Sequence, residues 1–162
     1  MRKLGIIAVL ALMVTALAAV PAFAANPHFI SAKATGPDAA GNLTVNFKIA
    51  GLGANETITV TATADATAVY ACQNPQSGAF PNAANKQEVS GPVSASGDFT
   101  SGQNGQITGS LTLSPPANTL NCPPGQREVL ASVSYTNVAV SGGGDTATIP
   151  GTFEKVFFPG AL

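Results

Sequence analysis

Two cysteines, Cys72 and Cys122, are the residues of this 162-residue chain best equipped for covalent chemistry. Two thiols can form a disulfide, remain free nucleophiles, or share a metal. A metal site would need further ligands, and His28 is the only imidazole available. A nucleophilic triad needs a base held beside a serine or cysteine. His28 lies close to the start of the chain, where segments are often loosely held. Serines are plentiful, but none sits in a G-x-S-x-G elbow. Asp65, Glu88, Asp98 and Glu128 could pair as acid and base only if the fold brought them together; as strand and turn residues they read as solvated acids. The run "SGGGD" at 141–145 lacks the lysine and following helix of a phosphate-binding loop, and reads as a hairpin tip. Asp145 has no second acid nearby to complete a calcium site. The sequons Asn42-Leu43-Thr44 and Asn55-Glu56-Thr57 are uninformative in so Asn- and Thr-rich a chain. The expectation is a non-enzymatic protein with no catalytic residues, no cofactor and no metal.

The start of the chain supplies the compartment. Arg2 and Lys3 precede an apolar run from Leu4 to Val20, Pro21 breaks it, and Ala22-Phe23-Ala24 offers small residues where a signal peptidase reads. The alternative is a retained membrane anchor, for which the run is slightly short of the roughly 20 residues a span requires. The reading is a signal peptide over 1–24, cleaved after Ala24, and a secreted, extracellular product with no membrane attachment afterwards. An even cysteine count in an exported chain predicts a Cys72–Cys122 disulfide. Removing Arg2 and Lys3 from the seven basic residues leaves five against eight acids, a net charge of −3. No basic stripe exists to neutralise phosphates, which argues against a nucleic-acid partner.

Two segments are not explained by strand pairing: loops 73–87 and 114–127, both rich in Pro and Asn and tied together by the expected bridge. Loops held by a rigid scaffold are where recognition concentrates. Phe80, expected at an exposed tip, and Arg127, beside the second loop, are the candidate binding residues. They are the kinds of side chain that dominate contact energy. The partner expected is an unknown extracellular protein or glycan, with the chain acting as a binding module or an envelope or matrix component. The alternative is a secreted inhibitor or small-ligand carrier using the same loops. Nothing in the sequence fixes the oligomeric state.

The scaffold is read from period-two alternation. In "NLTVNFKI", Leu43, Val45, Phe47 and Ile49 share one face; "ETITVTATA" places Ile58, Val60 and Ala62 together; "TAVYACQ" sets Val69 against Tyr70 and Cys72. "EVSGPVSASGDF" aligns Val89, Val93, Ala95 and Phe99, with Gly91-Pro92 predicting an edge strand or a bulge. "GQITGSLTLS" aligns Ile107, Leu111 and Leu113. "EVLASVSYTNVAV" changes phase near Asn137, which predicts a bulge. A short strand is expected at "HFISAKA", "TATIPGTFEKVFF" closes the chain with Pro150-Gly151 as a kink, and Asn104-Gly105 reads as a type I′ hairpin turn. No helical period follows Val20. The fold expected is all-β, an immunoglobulin-like Greek-key β-sandwich of about seven to eight strands, one domain over 25–162, preceded by a signal-peptide helix.

Two resemblances accompany this reading. "DATAVYAC" (65–72) resembles the run before the second cysteine of an antibody variable domain, where a tyrosine two residues earlier forms a corner. There the partner cysteine comes earlier and a tryptophan packs on the bridge. Here Cys122 comes later and the chain has no tryptophan, so the likeness reads as convergence. "PNAANKQEVSGPVSASGDF", "GSLTLSPP", "CPPGQREVLASVSYTNV" and "PGTFEKVFFP" resemble segments of small exported bacterial proteins without assigned activity. That resemblance implies a secreted single domain with one disulfide and brings no site residues.

Overall fold

The computed structural model describes residues 26–81 and 85–162. The expected signal peptide at 1–24 lies outside the described residues. Eight strands follow in order: β1 (His28–Thr35), β2 (Leu43–Ala50), β3 (Thr57–Gln73), β4 (Lys86–Thr100), β5 (Ile107–Leu113), β6 (Arg127–Gly142), β7 (Asp145–Ile149) and β8 (Phe153–Val156). A short 3₁₀ turn at Pro159–Ala161 is the last element. The strands form two antiparallel sheets, one ordered β1-β2-β5, the other β4-β3-β6-β7 with β8 also pairing to β6. The architecture is all-β and sandwich-like. Among the described residues no helix is long and apolar enough to cross a membrane.

Alternation builds the core as the sequence implies. Leu43, Val45, Phe47 and Ile49 of β2 face Val60, Ala62, Ala64, Ala66 and Ala68 of β3, with Ile107, Leu111 and Leu113 of β5 and Val133, Tyr135, Val138 and Val140 of β6. The alanine column of β3 leaves room for larger neighbours. The Phe99 ring meets Phe47 edge-on at 5.0 Å, and a side chain on Gly109 would collide with both rings. Tyr135 is fully buried, and its hydroxyl donates to the Gly41 carbonyl at 2.8 Å.

Four features bear on the strand reading. First, "ETITVTATA" and "TAVYACQ" are one 17-residue strand, because the inward alanines continue unbroken past Asp65, whose carboxylate sits on the outer face and accepts from Asn137 Nδ2 at 2.8 Å. Second, Asn104-Gly105 is not a hairpin within one sheet. It lies between β4 of one sheet and β5 of the other; only Gly105 takes a positive φ, of 67°, and the Gly105 carbonyl accepts the Leu52 N–H at 3.1 Å. Third, β4 is an edge strand without a bulge, pairing with β3 in one register from Ala71↔Lys86 to Thr57↔Thr100. Fourth, β6 carries two irregularities. One is the predicted bulge, where Asn137 adopts φ 51° and returns Val138 and Val140 to the core. The other, at Ala131, was not legible beforehand.

Candidate functional site at the disulfide-bridged end

The bridge between Cys72 and Cys122 is present, with Cα atoms 5.5 Å apart. It ties the end of β3 to the segment joining β5 to β6, and a dense set of polar contacts surrounds it. Gln73, the residue after Cys72, is only 5% exposed. Its Oε1 accepts from Arg127 Nε at 3.2 Å and Nη2 at 2.9 Å, while its Nε2 donates to the Gly78 carbonyl at 3.1 Å. Asn74 organises the following turn: its Oδ1 accepts the Gln76 N–H at 2.9 Å, and its carbonyl accepts the Gly78 N–H at 2.8 Å. An Asn side chain closing its own downstream backbone is a common turn device.

The second loop is fastened to the sheet as well. The Tyr70 hydroxyl donates to the Pro116 carbonyl at 2.9 Å. Gln87 Oε1 accepts the Thr119 N–H at 2.9 Å, and Asn118 Nδ2 donates to Glu128 Oε1 at 2.9 Å. Asn85 Nδ2 donates to Gln126 Oε1 at 3.3 Å, directly linking the two loops. Burial pushes the Tyr70 hydroxyl above its ordinary pKa and Tyr135 further still. Asp38, by contrast, is pulled down by backbone N–H groups, that of Asn42 foremost.

The expected contact residues are placed differently from the expectation. Phe80 is not at an exposed tip. It is half-buried, with its ring 5.7 Å from that of Phe158. Together with Val69 it covers a second apolar cluster formed by Ala71, Ala131 and Ala161. Val69 and Ala71 alternate with the core residues Ala68 and Tyr70, so this cluster lies on the outer face of the five-stranded sheet. The irregularity at Ala131 explains how it forms. It turns Leu130 toward the main core, and the Ala131 carbonyl accepts the N–H groups of Phe157 at 2.8 Å and Phe158 at 3.1 Å. The C-terminal segment is thereby folded over the sheet. Arg127 is exposed, but its guanidinium is engaged by Gln73 and positions the first loop.

An apolar surface emerges beside this cluster. Leu162 is 57% exposed and Val156 49%, two of the most exposed large apolar side chains among the described residues. A cleft of about 310 Å³ beside Leu162 is lined by Val69, Lys86, Glu88 and Leu162. A second cleft, of about 500 Å³, opens where β7 gives way to β8, between Thr136–Val138 and Thr148–Thr152. The sequence contains the signal for the first surface in Val69, out of phase with Tyr70 and Cys72, and in the Phe157-Phe158 pair after the last strand.

The remaining chemistry-bearing residues do not converge. Asp98 accepts from the Thr59 hydroxyl at 2.7 Å, Glu128 is bonded to Asn118, and Asp65 to Asn137. Asp145 Oδ2 accepts the Phe29 N–H at 3.0 Å, fastening β1 to the β6–β7 hairpin. His28 Nδ1 lies 3.0 Å from the Asn26 carbonyl. Among the described residues no three His, Cys, Asp or Glu side chains are close enough to hold a metal ion. No family model matches the chain, and no curated protein and no solved structure matches it.

Proposed function

We propose that residues 25–162 form an exported, non-enzymatic immunoglobulin-like domain that binds an extracellular protein through the outer face of the five-stranded sheet at its disulfide-bridged end. The strand order supports the Greek-key reading. β1, β2 and β5 lie together, β3 and β6 lie together opposite them, and the chain crosses between the sheets from β2 to β3, β4 to β5 and β5 to β6, in the manner of such sandwiches. Export is supported by the leader-like first 24 residues and by the bridge, since disulfides persist in oxidising compartments.

The observation that carries the binding reading is an apolar surface in which exposed Leu162 stands beside half-buried Val69, rimmed by Lys86 and Glu88, with exposed Val156 on the same face across Ser132, close to the Cys72–Cys122 bridge. A small apolar patch with charges of both signs at its rim suits a protein surface. A glycan is less suited, because sugar faces are held by exposed aromatic rings, and the nearest rings, Phe80 and Phe158, are half-buried against each other. Phe80 and Arg127 then serve as supports that hold the surface, and Leu162 and Val156 as contacts. Capture from culture supernatant tests this: Leu162→Asp should abolish recovery of the protein held by the parent chain, with the melting temperature unchanged. Equal recovery by Leu162→Asp and Val156→Asp would overturn it.

The inhibitor reading has one observation in its favour. The turn from Asn74 to Ala79 is exposed yet closed by its own hydrogen bonds, so little entropy is lost when a partner holds it. Inhibition of an extracellular protease, lost on Asn74→Ala, would establish it; Leu162→Asp would leave that inhibition intact.

A further inference from the structure

We propose that β4 pairs edge to edge with β4 of a second copy of this chain, extending the five-stranded sheet across a two-fold axis. β4 is the outermost strand of its sheet and, at fifteen residues, one of the longest strands in the fold. The direction of its backbone groups follows from the register. The Ser101 N–H donates to the Glu56 carbonyl at 2.8 Å, and the β3–β4 pairing continues that register without a shift. Odd-numbered residues of β4 therefore bond to β3, and the N–H and C=O groups of Glu88, Ser90, Ser94, Ser96, Asp98 and Thr100 face away from it. Pro92 occupies the same outward set, where its missing N–H costs no bond to β3.

Edge strands are ordinarily protected by prolines and charges. On β4 that protection is uneven. Lys86, Glu88 and Pro92 guard the first half, while Val93–Thr100 carries a single charge, Asp98. The open half is also self-complementary. Pairing Ser96 with Ser96 of the second copy places Ser94 opposite Asp98 and Pro92 opposite Thr100, so no like charges meet. The inward-facing residues fall as Val93 opposite Phe99 and Ala95 opposite Gly97, large beside medium and small beside small. Val93, Ala95 and Phe99 are all only partly buried in one copy. Pairing would cover their edges, and apolar burial favours association. The Thr100 N–H would donate to the Pro92 carbonyl, and the Thr100 carbonyl, with no N–H opposite it, would remain with water. This edge is remote in sequence from Val156 and Leu162, and the proposal does not depend on the binding reading given to them.

Sedimentation velocity over a concentration series tests the pairing. The parent chain should dimerise. Ser94→Pro removes an outward N–H from each copy, from a residue whose hydroxyl makes no hydrogen bond among the described residues, and should weaken the dimer by roughly 5- to 150-fold. Ser96→Lys and Ser96→Glu each set like charges face to face at the axis, and each should weaken it by about fivefold or more. A one-to-one mixture of these two variants should restore association, as expected where residue 96 of one copy meets residue 96 of the other. If Ser94→Pro lowers the melting temperature, the Ser96 variants decide alone. A parent chain that remains monomeric to its solubility limit, or a dimer indifferent to both Ser96 charges, would overturn the proposal.

Discussion

Reduction of the Cys72–Cys122 bridge should destabilise the fold chiefly by freeing the unfolded chain. The bridge closes a loop with a sequence separation of 50. Loop-closure entropy for that length corresponds to about 4 kcal/mol at room temperature. The native contacts around it do not depend on the sulfurs: Arg127 still holds Gln73, Gln87 still holds Thr119, and Tyr70 still reaches Pro116. The folded state should therefore persist after reduction, with a melting temperature lower by roughly 10–15 °C. Urea titrations of the oxidised and reduced protein provide the assay. Two changes are expected together: a lower midpoint, and a steeper dependence on urea, because an uncrosslinked unfolded chain exposes more surface. Cys72→Ala with Cys122→Ala should reproduce the reduced protein, with up to about 1 kcal/mol more lost where the buried Cys72 sulfur is removed. A stability loss below about 1 kcal/mol with an unchanged slope would refute the chain-entropy reasoning.

Two further outcomes follow from buried rings. Burial raises the pKa of Tyr135, so below the ordinary tyrosine value of about 10 both folded and unfolded chains keep the proton and stability is undiminished. Above it the unfolded chain ionises first, and stability should fall as the pH climbs toward the folded value. Tyr135→Phe should cost about 1–2 kcal/mol at neutral pH by stranding the Gly41 carbonyl, yet lose less stability between neutral and strongly alkaline pH. Equal alkaline slopes in urea titrations of both proteins would count against this. Phe80→Ala should cost about 1–2 kcal/mol, since a half-buried ring is removed. A double-mutant cycle with Phe158→Ala should return a coupling of about 0.5–1.5 kcal/mol; no coupling would show that the two rings act independently.

The sheet faces were legible in the sequence because burial alternates with the pleat: Leu43, Val45, Phe47 and Ile49 could hardly lie on different faces. The Asn137 bulge was legible because the apolar phase changes there. The Ala131 irregularity was not, since alanine is admissible on either face, and the change of side shows only through the C-terminal segment that covers it. Phe80 misled for a related reason. It sits in a Pro-, Asn- and Gly-rich stretch, which signals a surface loop, while its partner Phe158 lies far along the chain. The role of Arg127 depended on Gln73, whose burial no local pattern announces. Asn104-Gly105 carried a strong hairpin signal, yet the flanking strands belong to different sheets, a choice made by the packing of Phe99 and Ile107 into one core.

The outer face of β3 divides the sheet's labour. From Thr57 to Thr67 it presents hydroxyls that pair across to β4: Thr57 with Thr100 at 2.8 Å, Thr61 with Ser96 at 2.8 Å, and Thr67 with Ser90 at 2.9 Å. At Val69 and Ala71 it turns apolar: the C-terminal segment covers Ala71 and packs beside half-buried Val69. Cross-strand pairs of this kind contribute roughly 0.2–1 kcal/mol each, but their larger effect is on register. A slip of one residue would send Phe99 from its place against Phe47 to solvent and bring Asp98 inward. The hydroxyl ladder outside and the phenylalanine pair inside thus fix β4 from both faces, and only a strand so fixed can offer a second copy one defined row of edge groups.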